Sequence, residues 1–108
     1  MTTNKRLQQL LIFLEEEPQD AFLLYAIALE YLKEDSSKAL KYLEELLKTQ
    51  PEYTATYYQL AALYIDGNEL EKAKKVFEQG IEVCKKEDDQ KNFEELSKAY
   101  EQFLFEFD

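Results

Sequence analysis

The sequence predicts an all-α fold, about six helices stacked as antiparallel hairpins, and three observations carry that prediction. One pattern recurs: Tyr57-x-x-Leu60-Ala61-x-x-Tyr64 is followed by Ala73-x-x-x-Phe77, and upstream Leu24-x-x-Ile27-Ala28-x-x-Tyr31 is followed by Ala39-x-x-x-Leu43 and Pro51. Self-similarity at the spacing of one helical hairpin marks a repeat architecture. With only two Gly and two Pro among 108 residues, the helices have to be joined by short turns. Apolar residues then return every three or four positions nearly throughout, which is the period of an amphipathic helix.

The first helix, about 4–17, carries Leu7, Leu10, Leu11 and Leu14 on one side and stops before Pro18, whose ring disfavours a helical predecessor. A second spans about 20–33. Asp35 or Ser36 caps a third, which turns Ala39, Leu40, Leu43, Leu46 and Leu47 inward until Pro51 ends it. The fourth, about 53–65, runs into Asp66-Gly67-Asn68, where Gly67 is expected to take the left-handed C-cap. Asn68 to Glu71 reads as a capping box for the fifth helix, which ends near Lys85. The polar stretch 85–92 is expected to be a loop. Phe93, Leu96, Tyr100, Phe103 and Phe107 then form the stripe of a last helix, about 90–107. No linker or low-complexity segment interrupts the chain, so 1–108 reads as one domain: 4–17 an opening helix, 20–50 and 53–85 two repeats, 90–107 a capping helix.

Small residues matter as much as large ones in this pattern. Ala28, Ala39, Ala61 and Ala73 let paired helix axes approach to roughly 8–10 Å. The larger residues at 24, 27, 31, 57, 60 and 64 fill the space between hairpins. Truncating Leu24 or Leu60 to Ala is expected to cost roughly 2–5 kcal/mol.

Composition narrows the function. A net charge of −10 opposes both nucleic acid and an anionic membrane surface. The acidic residues gather in 15–35, where only Lys33 opposes them, and again toward the C-terminal end; they read as solvated helix faces and favourable N-terminal charges, with a docking patch as the alternative. The longest apolar run, 21–29, falls well short of the ~20 residues of a membrane-spanning helix. The opening Met1-Thr2-Thr3-Asn4-Lys5-Arg6 lacks the apolar run and small-residue site of a cleavable leader, so a cytoplasmic location is expected.

Nothing in the chain points to an enzyme. There is no His, so the commonest general base is missing. Cys84 is the single cysteine, with neither an activating His nor a second Cys for a zinc site, and reads as a packed apolar residue. No glycine-rich phosphate loop exists. The pairs Glu44-Glu45 and Glu94-Glu95 are adjacent on helices and diverge. No cofactor and no metal are expected.

The repeated residues quoted above resemble the tetratricopeptide repeat (TPR) family. The second repeat, 54–85, matches nearly every signature position, with Tyr57 replacing the usual Trp and Gly80 at a later small position. The first, 21–53, is looser, its Asp35-Ser36-Ser37 turn one residue shorter. The opening helix is similar to the second half of a preceding repeat, and 93–100 to the first half of a third. Phrases such as Tyr57-Tyr58-Gln59-Leu60 and Gly80-Ile81-Glu82-Val83 look like short stand-alone bacterial TPR proteins of unknown function.

The resemblance implies a right-handed superhelical stack whose first helices line a concave protein-binding groove. Carried over by register, the groove positions are Phe22, Tyr25, Ala26, Leu29, Leu32 and Lys33 in the first repeat. The second supplies Ala55, Tyr58, Gln59, Ala62, Ile65 and Asp66, and the last helix Lys91, Glu94, Glu95, Lys98 and Glu101. The first two sets are mostly apolar, and such a groove is normally covered. Three covers are open: the final helix folded back, a second copy of the chain closing a homodimer, or an amphipathic or hydrophobic segment of another protein. Tyr25 and Tyr58 are the aromatic anchor candidates. A clamp for the acidic C-termini of heat-shock proteins is not expected, because Tyr25, Leu29 and Gln59 stand at the corresponding places. In the tail 103–108, Phe103 and Phe107 continue the apolar stripe while Phe105 points away from it, either as a frayed end or as part of an interface.

Overall fold

The computed structural model describes residues 4–107. Residues 1–3 and 108 lie outside it, and with them the first residues of the opening segment and the last of the apolar tail. All described secondary structure is helical, in six α-helices. By their packing they divide into two compact units, Met1–Gln50 and Pro51–Asp108.

The first unit holds α1 (Lys5–Glu16), α2 (Ala21–Leu32) and α3 (Ser36–Thr49). Each start is set by a short polar side chain that satisfies amide groups the helix itself leaves unbonded. Asn4 accepts from the Leu7 amide at 2.9 Å, and Asp20 from the Leu23 amide at 3.0 Å. Asp35, and not Ser36, caps α3, accepting from the Ser37 and Lys38 amides and from the Ser37 hydroxyl. Gln50, at the end of α3, donates its side-chain amide to the Gln19 carbonyl at 2.8 Å, tying the turn before α2 to the exit from α3.

Leu7 and Leu10 of α1 meet Ala26 and Ile27 of α2 in a core extended by Leu11, Leu14, Leu23, Tyr31 and Tyr42. The Tyr31 and Tyr42 rings stack at 5.6 Å. Ala28 and Ala39 are fully buried where α2 packs on α3, as their size requires. One charge is also buried here. Burial pushes the Glu30 carboxyl up, but hydrogen bonds from Asn4 and Lys33 and the charges of Lys33 and Arg6 outweigh it and hold the group below the usual carboxylate range.

The second unit holds α4 (Thr56–Asp66), α5 (Leu70–Lys86) and α6 (Gln90–Phe107). α4 packs on α5, α5 on α6, and α6 also touches α4. Three-residue connections make each consecutive pair antiparallel, so α4 and α6 run the same way.

The local chemistry differs from the sequence expectation at both turns. Gly67 sits at φ −86, and the left-handed residue is Asn68 at φ 60. An Asn side chain tolerates that region, so the turn closes one residue later than a glycine cap would place it. With Asn68 used in this way, no capping box forms: Glu69 is the N-cap of α5 and makes no side-chain cap bond. The expected loop at 85–92 shrinks to a turn around Asp88, at φ 57. Asp89 then caps α6, accepting from the Asn92 amide at 3.1 Å. Its other oxygen accepts from the Asn92 side chain at 2.8 Å and from the Thr54 hydroxyl at 2.5 Å. These bonds hold the Asp89 carboxyl below its ordinary range. They also pin Thr54 ahead of the helix, which begins at Thr56.

Candidate functional site

The site grows out of the buried face of α5. Ala73, Phe77, Gly80 and Cys84 recur there at spacings of four, three and four, and all are buried. Gly80 is the point of closest approach. A Cβ added to it would lie 2.5 Å from the Leu96 Cδ2 of α6 and 2.7 Å from the Tyr57 Cβ and Cγ of α4. Tyr57, itself fully buried, donates its hydroxyl to the Pro51 carbonyl at 2.6 Å. Burial pushes that phenol up to about 12, against a lowering by the Gln79 hydrogen bond. Burial likewise raises the Cys84 thiol, helped by Asp89, which is the environment of a packed thiol and the reverse of an activated nucleophile.

Phe77, one turn before Gly80, is the large residue of this face. Its ring stacks on Tyr100 at 5.2 Å and meets Phe103 at 5.4 Å, and Phe103 meets Phe107 at 5.2 Å. Tyr100 donates its hydroxyl to Glu78 at 2.8 Å. Above Phe77 lies a cleft of about 160 Å³ between α4 and α6. Tyr58, Ala62 and Ile65 form the α4 wall; Ala99, Gln102, Phe103, Glu106 and Phe107 form the other. Tyr58 and Phe107 are nearly half exposed at the rim. The contents suit apolar side chains: a mostly hydrocarbon lining, two aromatic edges, and polar side-chain groups from Gln102, Glu106 and the Tyr58 hydroxyl.

Of the residues expected from sequence, the structure brings Tyr58, Ala62 and Ile65 to this cleft, with half-buried Gln59 on the same helix outside the lining. Within the first unit, Phe22 is exposed while Tyr25, Leu29 and Leu32 are half-buried on α2. The α6 wall is where sequence reasoning missed. Lys91, Glu94, Glu95, Lys98 and Glu101 do not line the cleft; residues nearer the end of the helix do. The signal was present in the apolar stripe, which runs on through Phe103 and Phe107 past the point where α4, by register, has ended. Within this unit α6 is a wall of the cleft and not a lid over it. Phe105, on the opposite side, is 90% exposed within a continuous helix. Among the described residues, no helix is long and apolar enough to cross a membrane.

Comparison with known proteins bears on the fold. A tetratricopeptide repeat family model matches residues 31–92, more than half of the chain. A tetratricopeptide repeat domain protein from Salinibacter ruber, solved in solution by NMR, is 42% identical with a TM-score of 0.75, over 80% of this chain and 88% of that one. A crystal structure of a tetratricopeptide repeat domain protein from the same organism is 41% identical with a TM-score of 0.76, over 79% of this chain and 97% of that one. No curated protein matches the chain. The family is generally non-catalytic, and its fold suggests a scaffold for protein–protein interaction. On the family match and this level of identity, the chain belongs to the tetratricopeptide repeat family.

Proposed function

We propose that the chain is a non-catalytic scaffold that holds a hydrophobic or amphipathic segment of another protein against the apolar face of α4. The observation that carries this is the cleft over Phe77, with apolar walls and the half-exposed rings of Tyr58 and Phe107 at its mouth. An exposed aromatic beside a desolvated apolar pocket is the usual composition of a binding hot spot. Phe22, Tyr25, Leu29 and Leu32 offer a second apolar face on α2, with Phe22 its most exposed member.

The second reading is a homodimer in which this same face is closed by another copy. Both are tested by Tyr58→Glu and Ala62→Glu, each checked for fold by circular dichroism. A protein retained from lysate by wild type and released by both folded variants supports the scaffold. A wild-type dimer that the variants convert to monomer, with nothing retained, supports the homodimer. Retention and assembly unchanged in both folded variants refute the assignment of this face.

A further inference from the structure

The charges of the second unit are sorted by helix. α5 carries five Lys against three Glu, whereas α4 and α6, which wall the cleft, together carry five carboxylates against two Lys. The sorting is sharpest at the cleft itself. It is lined by Tyr58, Ala62 and Ile65 along α4 and by 99–107, the C-terminal half of α6, on two helices that run the same way. The negative ends of both helix dipoles therefore point to one end of the cleft. α5 offsets its own C-terminal dipole with Lys85 and Lys86; α4 and α6 have no basic residue in their last turns. Instead α4 ends on the exposed Asp66, and Glu106 lines the cleft, its carboxylate accepting from Gln102 at 3.3 Å. Glu95 lies on the same side of α6, eleven residues and about 16 Å before Glu106. Farther back on α6, Lys91 and Lys98 flank Glu95, so the unopposed carboxylates and the carbonyl ends of the helices border the cleft at its C-terminal end.

We infer that the occupant of this cleft is a basic amphipathic segment. Its apolar side chain enters over Phe77, and its Lys or Arg residues pair with Glu106 and Asp66 at the C-terminal end of the cleft. This rests on the scaffold reading above and goes further by setting the partner's charge. A second copy fits the same face poorly, because a chain of net charge −10 would bring one acidic border against another.

Four short helical peptides test it. Three share one stripe of Leu and Phe and carry Lys, Gln or Glu at the polar positions; the fourth keeps Lys but replaces the stripe with Ser. Affinities are read by fluorescence anisotropy at low and high salt, for wild type, Glu106→Gln and Ala62→Glu. The Lys peptide should bind about tenfold more tightly than the Gln peptide, the sum of two or three part-exposed ion pairs, with the Glu peptide weakest. Salt should erode that preference. Glu106→Gln should reduce the preference for the Lys over the Gln peptide about two- to fivefold. Ala62→Glu should abolish binding of the Gln peptide.

Equal affinity for the three striped peptides, lost in Ala62→Glu, overturns the charge assignment and leaves the apolar cleft reading standing. If the Ser-striped peptide binds as well as its Leu and Phe counterpart, surface charge alone is at work and both fail. If no peptide binds, both fail as well. A wild-type dimer that Ala62→Glu separates, seen by light scattering, gives the face to a second copy and overturns the inference.

Discussion

Replacing Gly80 with Ala is the sharpest test of how the second unit is held together. A Gly-to-Ala change inside a helix would by itself stabilise by about 1 kcal/mol. Here the added carbon meets Leu96 at 2.5 Å and two atoms of Tyr57 at 2.7 Å, where ordinary contacts begin near 3.5 Å. Leu96 is almost fully buried and has little room to rotate away. The Tyr57 contact is with the stem of the side chain, next to the α4 backbone, so relief there means moving a helix by close to 1 Å. Overpacking of this kind costs about 1–3 kcal/mol, and with both neighbouring helices involved the upper end applies. Set against the propensity gain, the net loss is about 2 kcal/mol, or roughly 8–16 °C in Tm for a domain of this size. Urea denaturation followed by circular dichroism measures it, with Gly67→Ala as the control. At Gly67 the nearest atom to an added carbon is the Leu63 carbonyl at 3.5 Å and φ is negative, so stability there should change by less than about 0.5 kcal/mol. A Gly80→Ala variant as stable as wild type would refute the close approach of α4 and α6 at this point.

Tyr57 predicts an alkaline dependence. Its phenol is raised from 10 to about 12 by burial, so the stability it contributes is complete below pH 10 and is lost as pH rises toward 12. The difference between wild type and Tyr57→Phe should shrink by on the order of 2 kcal/mol across that window in pH-resolved denaturation. Glu30 predicts the opposite flank. Its carboxyl is held low, so its contribution is present above the usual carboxylate range and disappears as pH falls through its folded value. Glu30→Gln should flatten the acid side of the stability profile. Thr56 is fully buried and its hydroxyl has no hydrogen-bond partner, so Thr56→Val should hold or raise stability by about 1 kcal/mol in the same urea titration. A loss of that size would mean that the hydroxyl is bonded.

What the sequence made legible follows from how local each feature is. The helices could be read because Leu7, Leu10 and Leu14, or Phe93, Leu96, Tyr100 and Phe103, repeat at the helical period, and the starts at Asp20 and Asp35 because a cap bonds amides two or three residues away. The turn after α4 failed on a choice between neighbours. Both Gly67 and Asn68 can adopt the left-handed region, and only the position of Glu69, whose amide bonds the Tyr64 carbonyl at 2.7 Å, decides which does. Asp89 was hidden for a different reason. Its bond to the Thr54 hydroxyl joins residues thirty-five apart, and no local pattern marks it. On α4, the positions carried over by register, Tyr58, Ala62 and Ile65, line the cleft. On α6 the carried-over positions do not, because that helix has 18 residues where α4 has 11, and Phe103, Glu106 and Phe107 of the wall lie in the part without a counterpart.

The cleft and the close contact at Gly80 are two results of one pattern on α5. Where that face is small, at Ala73, Gly80 and Cys84, neighbouring helices can settle against it, and at Gly80 they do so to the limit of contact. Where it is large, at Phe77, the ring holds α4 and α6 apart and becomes the floor of the space between them. The ring is kept there by Tyr100 and Phe103, which belong to the same α6 whose Leu96 presses on Gly80 a turn away. Tight packing at Tyr57 and Leu96, near the starts of α4 and α6, thus bears on the separation of the two helices beyond them. The proposed binding face is shaped by residues outside the cleft lining. A change at Gly80 should therefore alter occupancy of the cleft even though Gly80 does not line it, whereas Gly67, at the end of α4 where an added carbon meets only ordinary contacts, should leave binding unchanged.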